Sequence, residues 1–119
     1  MTDTDPIVEL IDHEVGKLGT MLAFKVSAIN DSSNVPAQKN RDAQTRSYRH
    51  EYQNLVRGLK FLKDEYSGKM YRKEVHKWAL LLHGDARRML WQDWRPENAG
   101  KRKAYSDVSK AIIDAFKQL

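Results

Sequence analysis

The chain contains no cysteine, so a disulfide framework, a thiolate metal site and a cysteine nucleophile are all excluded. The same absence favours an intracellular setting. No apolar run approaches the ~18–20 residues that a membrane span needs. The first residues, Met1-Thr-Asp-Thr-Asp-Pro6, are acidic and lack the basic-then-apolar order of a secretion signal. The expectation is a cytoplasmic protein with no membrane partner. No segment alternates apolar and polar residues with a period of two, which leaves no candidate strand. A glycine-rich phosphate loop, a Gly-x-Ser-x-Gly elbow and a carboxylate pair in a helical nucleotide-hydrolase pattern are all missing. No cofactor is implied.

Histidine is scarce and badly spaced for metal. His13, His50, His76 and His83 form no Glu-x-x-His or His-x-x-x-His pattern, so no metal site is expected. Arg46 precedes His50 by four residues, and Arg72 precedes His76 by four. An arginine that holds phosphate beside a histidine that moves a proton is a nuclease arrangement. The gap here is shorter than in helical ribonucleases of that kind, so the expectation is a non-enzymatic protein.

What is present is helical periodicity. The 119 residues suit one ordinary domain, with 40% hydrophobic and 31% charged residues. Asp5-Pro6 reads as an N-cap followed by proline at the first helical position. Ile7, Ile11, Val15, Leu18, Leu22, Val26 and Ile29 then recur at helical spacing, which predicts a first helix over 6–29. Gly16 and Gly19 lie inside it and mark either a close helix contact or a bend. Residues 30–36 form a polar loop ending in proline. A second helix starts between Pro36 and Asp42 and carries Tyr48, Tyr52, Leu55, Leu59, Leu62 and Tyr66, closed by Ser67-Gly68.

A third helix from about Lys69 is expected to bury Tyr71, Val75, Trp78, Leu82, Ala86 and Met89, with a kink or break at Gly84-Asp85. Residues 91–100 read as a connection, because Pro96 disfavours helix at Arg95. The fourth helix follows with Tyr105, Val108, Ile112, Phe116 and Leu119. The prediction is an all-α single domain over 1–119, bundle-like and without β-sheet. It divides into an acidic helix and a basic helical body over 37–119. The unbroken four-three seam also suits a homodimer.

Charge is distributed unevenly. Residues 1–35 hold two bases and six acids, a charge of −4, whereas residues 36–119 hold nineteen bases and ten acids, a charge of +9. Either the basic body binds a polyanion with the first helix as a shield, or the two parts attract each other within the fold. At ~100° per residue, Arg46, Arg49, Arg57, Lys60 and Lys63 fall within an arc of roughly 120° on the second helix, with Glu51 and Glu65 on the opposite flank and only Asp64 intruding. A one-sided stripe of this kind matches phosphates along a nucleic-acid backbone, and it also matches a plain solvated face. Lys69, Lys73, Lys77, Arg87 and Arg88 add charge on the third helix, and Lys101, Arg102 and Lys103 form a compact run. Trp91 and Trp94 sit among these bases as candidate stacking platforms for nucleobases, or as plugs of the bundle end.

The run Thr45-Arg-Ser-Tyr-Arg-His-Glu-Tyr-Gln-Asn-Leu-Val56, about a tenth of the chain, resembles the basic helix of small helical subunits in CRISPR effector complexes. The resemblance implies a helical subunit lining a nucleic-acid channel. The expected function is therefore a basic helical module that contacts nucleic-acid phosphates, DNA or RNA, alone or in a nucleoprotein complex. The rival expectation is an adaptor or inhibitor, of viral or mobile-element type, that docks a helical face on a partner protein.

Overall fold

The computed structural model describes the backbone of residues 6–30, 36–89 and 96–118, and the side chains of 6–21, 42–89 and 98–118. The described residues form four α-helices: α1 (Pro6–Asn30), α2 (Pro36–Glu65), α3 (Gly68–Met89) and α4 (Pro96–Lys117). Among the described residues there is no strand, and no helix is long and apolar enough to cross a membrane. Proline opens α1, α2 and α4, where its missing N–H costs nothing and its fixed φ already suits a helix. Gly68, at φ +57°, turns the chain between α2 and α3 in a conformation that side chains resist.

Successive helices run antiparallel. Asp12 and Val15 of α1 meet Lys63 and Tyr52 of α2, Gly58 of α2 faces Trp78 of α3, and His76 of α3 meets Phe116 of α4. The largest interface joins α2 and α4, which run parallel as the middle pair, while α1 and α3 each pack against both. The core consists of Ile7, Ile11 and Val15 from α1, Leu55 and Leu59 from α2, Tyr71, Val75, Ala79 and Leu82 from α3, and Ala104, Val108, Ile112 and Ala115 from α4.

Three expectations need correction. Helix α4 begins at Pro96, so 96–100 is helix and not connection. Proline breaks the helix before it but opens the one after it, and Gly100 is buried in packing where the sequence suggests a loop. Helix α3 passes through Gly84-Asp85 without a break. Trp78 is only half-buried; Ala79 takes the fully buried position, because a side chain small enough for that seam is required there. Likewise α4 buries Ala104, Ser109 and Ala115 beside Val108 and Ile112, while Tyr105 and Phe116 stand at the edge. Leu22, Val26, Ile29, residues 31–35 and Leu119 lie outside the described residues or side chains.

The two glycines of α1 play different roles. A Cβ on Gly19 would lie 2.8 Å from the Tyr52 hydroxyl, which donates a 2.8 Å hydrogen bond to the Val15 carbonyl. Gly19 is thus the close contact, whereas a Cβ on Gly16 would meet nothing within 4 Å. Gly16→Ala should therefore raise unfolding free energy by about 1 kcal/mol, the helix-propensity difference. Gly19→Ala should gain nothing, because the tyrosine must shift; urea denaturation of both variants checks the contrast.

Tyr48 and Tyr52 stack with ring centroids 6.4 Å apart, and Tyr48 donates a 2.9 Å hydrogen bond to Asp107 of α4. Burial, followed by the Asp107 charge and that hydrogen bond, pushes the Tyr48 phenol well above its ordinary value. Burial also raises Tyr52 and Tyr105. A tyrosine whose pKa is raised in the folded state ionises first in the unfolded chain. Its contribution to stability is intact below about pH 10, the unfolded value, and declines as pH rises toward the folded one. Denaturation midpoints should therefore fall steeply above about pH 10, and Tyr48→Phe should flatten that fall. An unchanged slope in the variant would refute the assignment.

Candidate nucleic-acid interface

Five bases of the predicted stripe project from α2, and all are exposed. They fare differently. Arg46, Arg49, Arg57 and Lys60 have no carboxylate partner among the described residues; Arg57 reaches only the Asn54 side-chain oxygen at 3.4 Å. Lys63 instead pairs with Asp12 of α1 at 3.3 Å. At this end of the molecule, the acidic helix and the basic body do attract each other within the fold. Both partners are open to solvent, so the pair contributes no more than about 1 kcal/mol.

The run Lys101-Arg102-Lys103 does not act as one cluster. Consecutive helical residues are ~100° apart, so the three side chains fan out around α4. The Lys101 ammonium lies 5.7 Å from the centre of the Tyr105 ring, an approach within cation–π range. Arg102 and Lys103 line a cleft of about 400 Å³ between α3 and the first half of α4. Arg87 and His83 enter it from α3, Gln44 reaches it from α2, and Ser106 and Asp107 complete the α4 wall. Ala86 and Ala99 also line it with short side chains.

The one carboxylate in this lining is occupied. Asp107 accepts the Tyr48 hydrogen bond and lies 3.4 Å from the Lys103 ammonium. Arg87 and Arg102 have no carboxylate partner among the described residues. Arg88 is excluded from the cleft, because it bonds Asp85 one turn earlier on α3. Gln44, His83, Ser106 and Asp107 were absent from the sequence-predicted set. A helical wheel pairs His83 with Arg87 and Arg102 with Ser106 at four-residue spacing, and that signal could have found them.

The two basic surfaces are separate. Arg46 follows Gln44 by two residues, so it lies ~200° around α2 from the side that faces the cleft. His50 is exposed and hydrogen-bonds Asn54, and the His76 ring meets Phe116 edge-on at 5.1 Å. His13 is exposed on α1. No group of three or more histidines, aspartates and glutamates poised for a metal occurs among the described residues. Trp91 and Trp94 lie outside the described residues.

Fold and surface together define, over the described residues, an all-α domain of four helices with a basic stripe, of which Lys63 alone is paired with a carboxylate there, and a basic cleft. No family model matches the chain, and neither a curated protein nor a solved structure matches it.

Proposed function

We propose that this chain is a nucleic-acid-binding helical module that holds the phosphate backbone along the outer face of α2. The observation that carries this reading is the row Arg46, Arg49, Arg57 and Lys60, exposed on one flank with no carboxylate partner among the described residues. Ordinary surface charge pairs with its neighbours, as Lys63 and Arg88 do, whereas the one acid on this flank, exposed Asp64, pairs with none of the four. From residue 46 to residue 60 the helix advances ~21 Å. Phosphates of one duplex strand advance about 3.4 Å each along the axis, so the row spans roughly six of them. A stripe of this kind provides affinity without base reading.

The test is an anisotropy titration of labelled single- and double-stranded DNA and RNA against rising salt. Four phosphate contacts on duplex predict a log–log slope near −3.6, so affinity should fall ~10²-fold between about 50 and 200 mM salt. Binding that ignores salt, or none at low salt, would sink the proposal.

One observation favours the second reading, a protein-docking module. Phe61 and Leu81 are 62% and 58% exposed, and half-buried Trp78 stands on the same α2–α3 side of the bundle. Exposed large apolar groups of this kind are what partner helices cover. A salt-resistant protein complex formed in place of nucleic-acid binding would select that reading.

A further inference from the structure

We infer that the α3–α4 cleft is a second anion site, built for a phosphate monoester and not for the internal diesters that the α2 stripe would hold. The inference goes beyond the stripe and stands on the cleft alone. At about 400 Å³ the cleft is at the small end of ligand pockets, sized for one nucleotide and not for a duplex. Its two arginines, Arg87 from α3 and Arg102 from α4, share one concavity, with Lys103 paired to Asp107 and with Gln44 and Ser106 as neutral hydrogen-bonding groups. Low-dielectric walls concentrate such a field, whereas bases on a convex helix radiate into water.

Helix dipoles do not explain the site. The negative end of α3 (Met89) comes two residues after Arg87 and the positive end of α4 (Pro96) three residues before Ala99, so their partial charges oppose each other. Side chains must therefore hold the anion. Two guanidiniums without carboxylate partners among the described residues present paired N–H donors, the geometry that phosphate oxygens accept. Asp107 does not repel the ligand as a free carboxylate would, because Tyr48 and Lys103 already face its Oδ2.

A monoester fits this set better than a diester. It carries close to two negative charges at neutral pH and three free acceptor oxygens on one end. An internal diester carries one charge and needs an exit for chain on both sides. The short side chains of Ala86 and Ala99 in the lining leave room for a terminal phosphate beside the two arginines. The monoester is either the terminal phosphate of a nucleic-acid strand or a free nucleotide, and the experiment separates the two.

Equilibrium titrations would compare adenosine 5′-monophosphate, adenosine, and one oligonucleotide with and without a 5′-phosphate. The expected result is binding of the monophosphate but not of adenosine, or a gain on the order of tenfold from the 5′-phosphate. A gain with the oligonucleotide alone identifies the strand end as the ligand; binding of the free monophosphate at the same strength identifies the nucleotide. Arg87→Gln with Arg102→Gln should abolish the effect, whereas Lys77→Gln with Lys110→Gln, exposed bases outside both surfaces, removes equal charge and should preserve it. Exposed Arg87→Gln alone serves if the double variant fails to fold. Amide shifts at Ala86, Ala99 and Ser106 in the unmodified protein give an independent readout. No monophosphate binding and no 5′-phosphate gain would overturn the inference, as would an effect that survives Arg87→Gln/Arg102→Gln. Binding of the 5′-hydroxyl oligonucleotide bears only on the stripe, so the two ideas fail separately.

Discussion

Gly100→Ala is expected to cost about 3 kcal/mol or more, the top of the range for overpacking a core. The added methyl would fall inside the van der Waals envelope of the Gln44 carbonyl oxygen, 2.9 Å from the Tyr48 backbone nitrogen and 3.0 Å from the Ser47 Cβ. Two of these neighbours are backbone atoms of α2, so no rotamer change relieves the clash. The α2–α4 interface, the largest in the molecule, must open. A domain of this size has a total stability of roughly 5–15 kcal/mol, so the loss is a large fraction of it. The melting temperature should fall by ~10 °C or more. The Tyr48–Asp107 hydrogen bond lies across the same contact and should weaken with it. Gly16→Ala, made in parallel, should move stability the other way, because open space surrounds that position. If Gly100→Ala melts with the parent protein, the close approach of α2 and α4 is wrong.

Gly100 also shows where sequence reasoning stops. A glycine in a loop and a glycine in a helix crossing have the same letter, and only the partner helix separates them. Next to Trp91, Trp94 and Pro96 it suggested a loop, although proline at a first helical position was just as consistent with the residues. Strong apolar periodicity was legible. Ile7, Ile11, Val15, Leu55, Leu59, Val75, Leu82, Val108 and Ile112 occupy the core as their spacing predicts. The positions of Ala79, Ala104 and Ala115 were not, because alanine carries little hydropathic signal and is buried for its size. All three alanines are fully buried, whereas Trp78, Tyr105 and Phe116 are only partly buried against the core.

The charged surface was half legible for the same kind of reason. A stripe on one helix is a property of that helix, so Arg46, Arg49, Arg57 and Lys60 could be placed from spacing alone. Pairing across helices is not such a property. Asp12 is 51 residues from Lys63, and nothing in either neighbourhood signals the contact. The cleft likewise draws its lining from three helices, α2, α3 and α4. The sequence joined Arg102 to Lys101 as neighbours, whereas the fold separates them and joins Arg102 to Arg87.

Charge reversal at Arg49 and Lys60 together should weaken nucleic-acid binding on the order of 10²-fold at about 0.15 M salt. Each phosphate contact on duplex adds about 0.9 to the salt slope, a factor of roughly five in affinity at that ionic strength. Losing two contacts accounts for ~30-fold, and the glutamates introduce repulsion from the phosphates they replace. The slope itself should drop by about two units, to half its original size. The loss should be the same for every sequence, since these residues face phosphates and not base edges. Stability should change by less than about 0.5 kcal/mol, because both side chains are exposed and neither has a carboxylate partner among the described residues. Lys63→Ala is the informative companion. Asp12 already neutralises that ammonium, so its removal should change affinity by no more than about twofold, against the fivefold of an uncompensated contact. Equal losses at Lys63 and Lys60 would mean that net charge alone attracts the ligand and that the stripe has no privileged geometry. An unchanged slope in the Arg49→Glu/Lys60→Glu protein would remove α2 from the interface altogether.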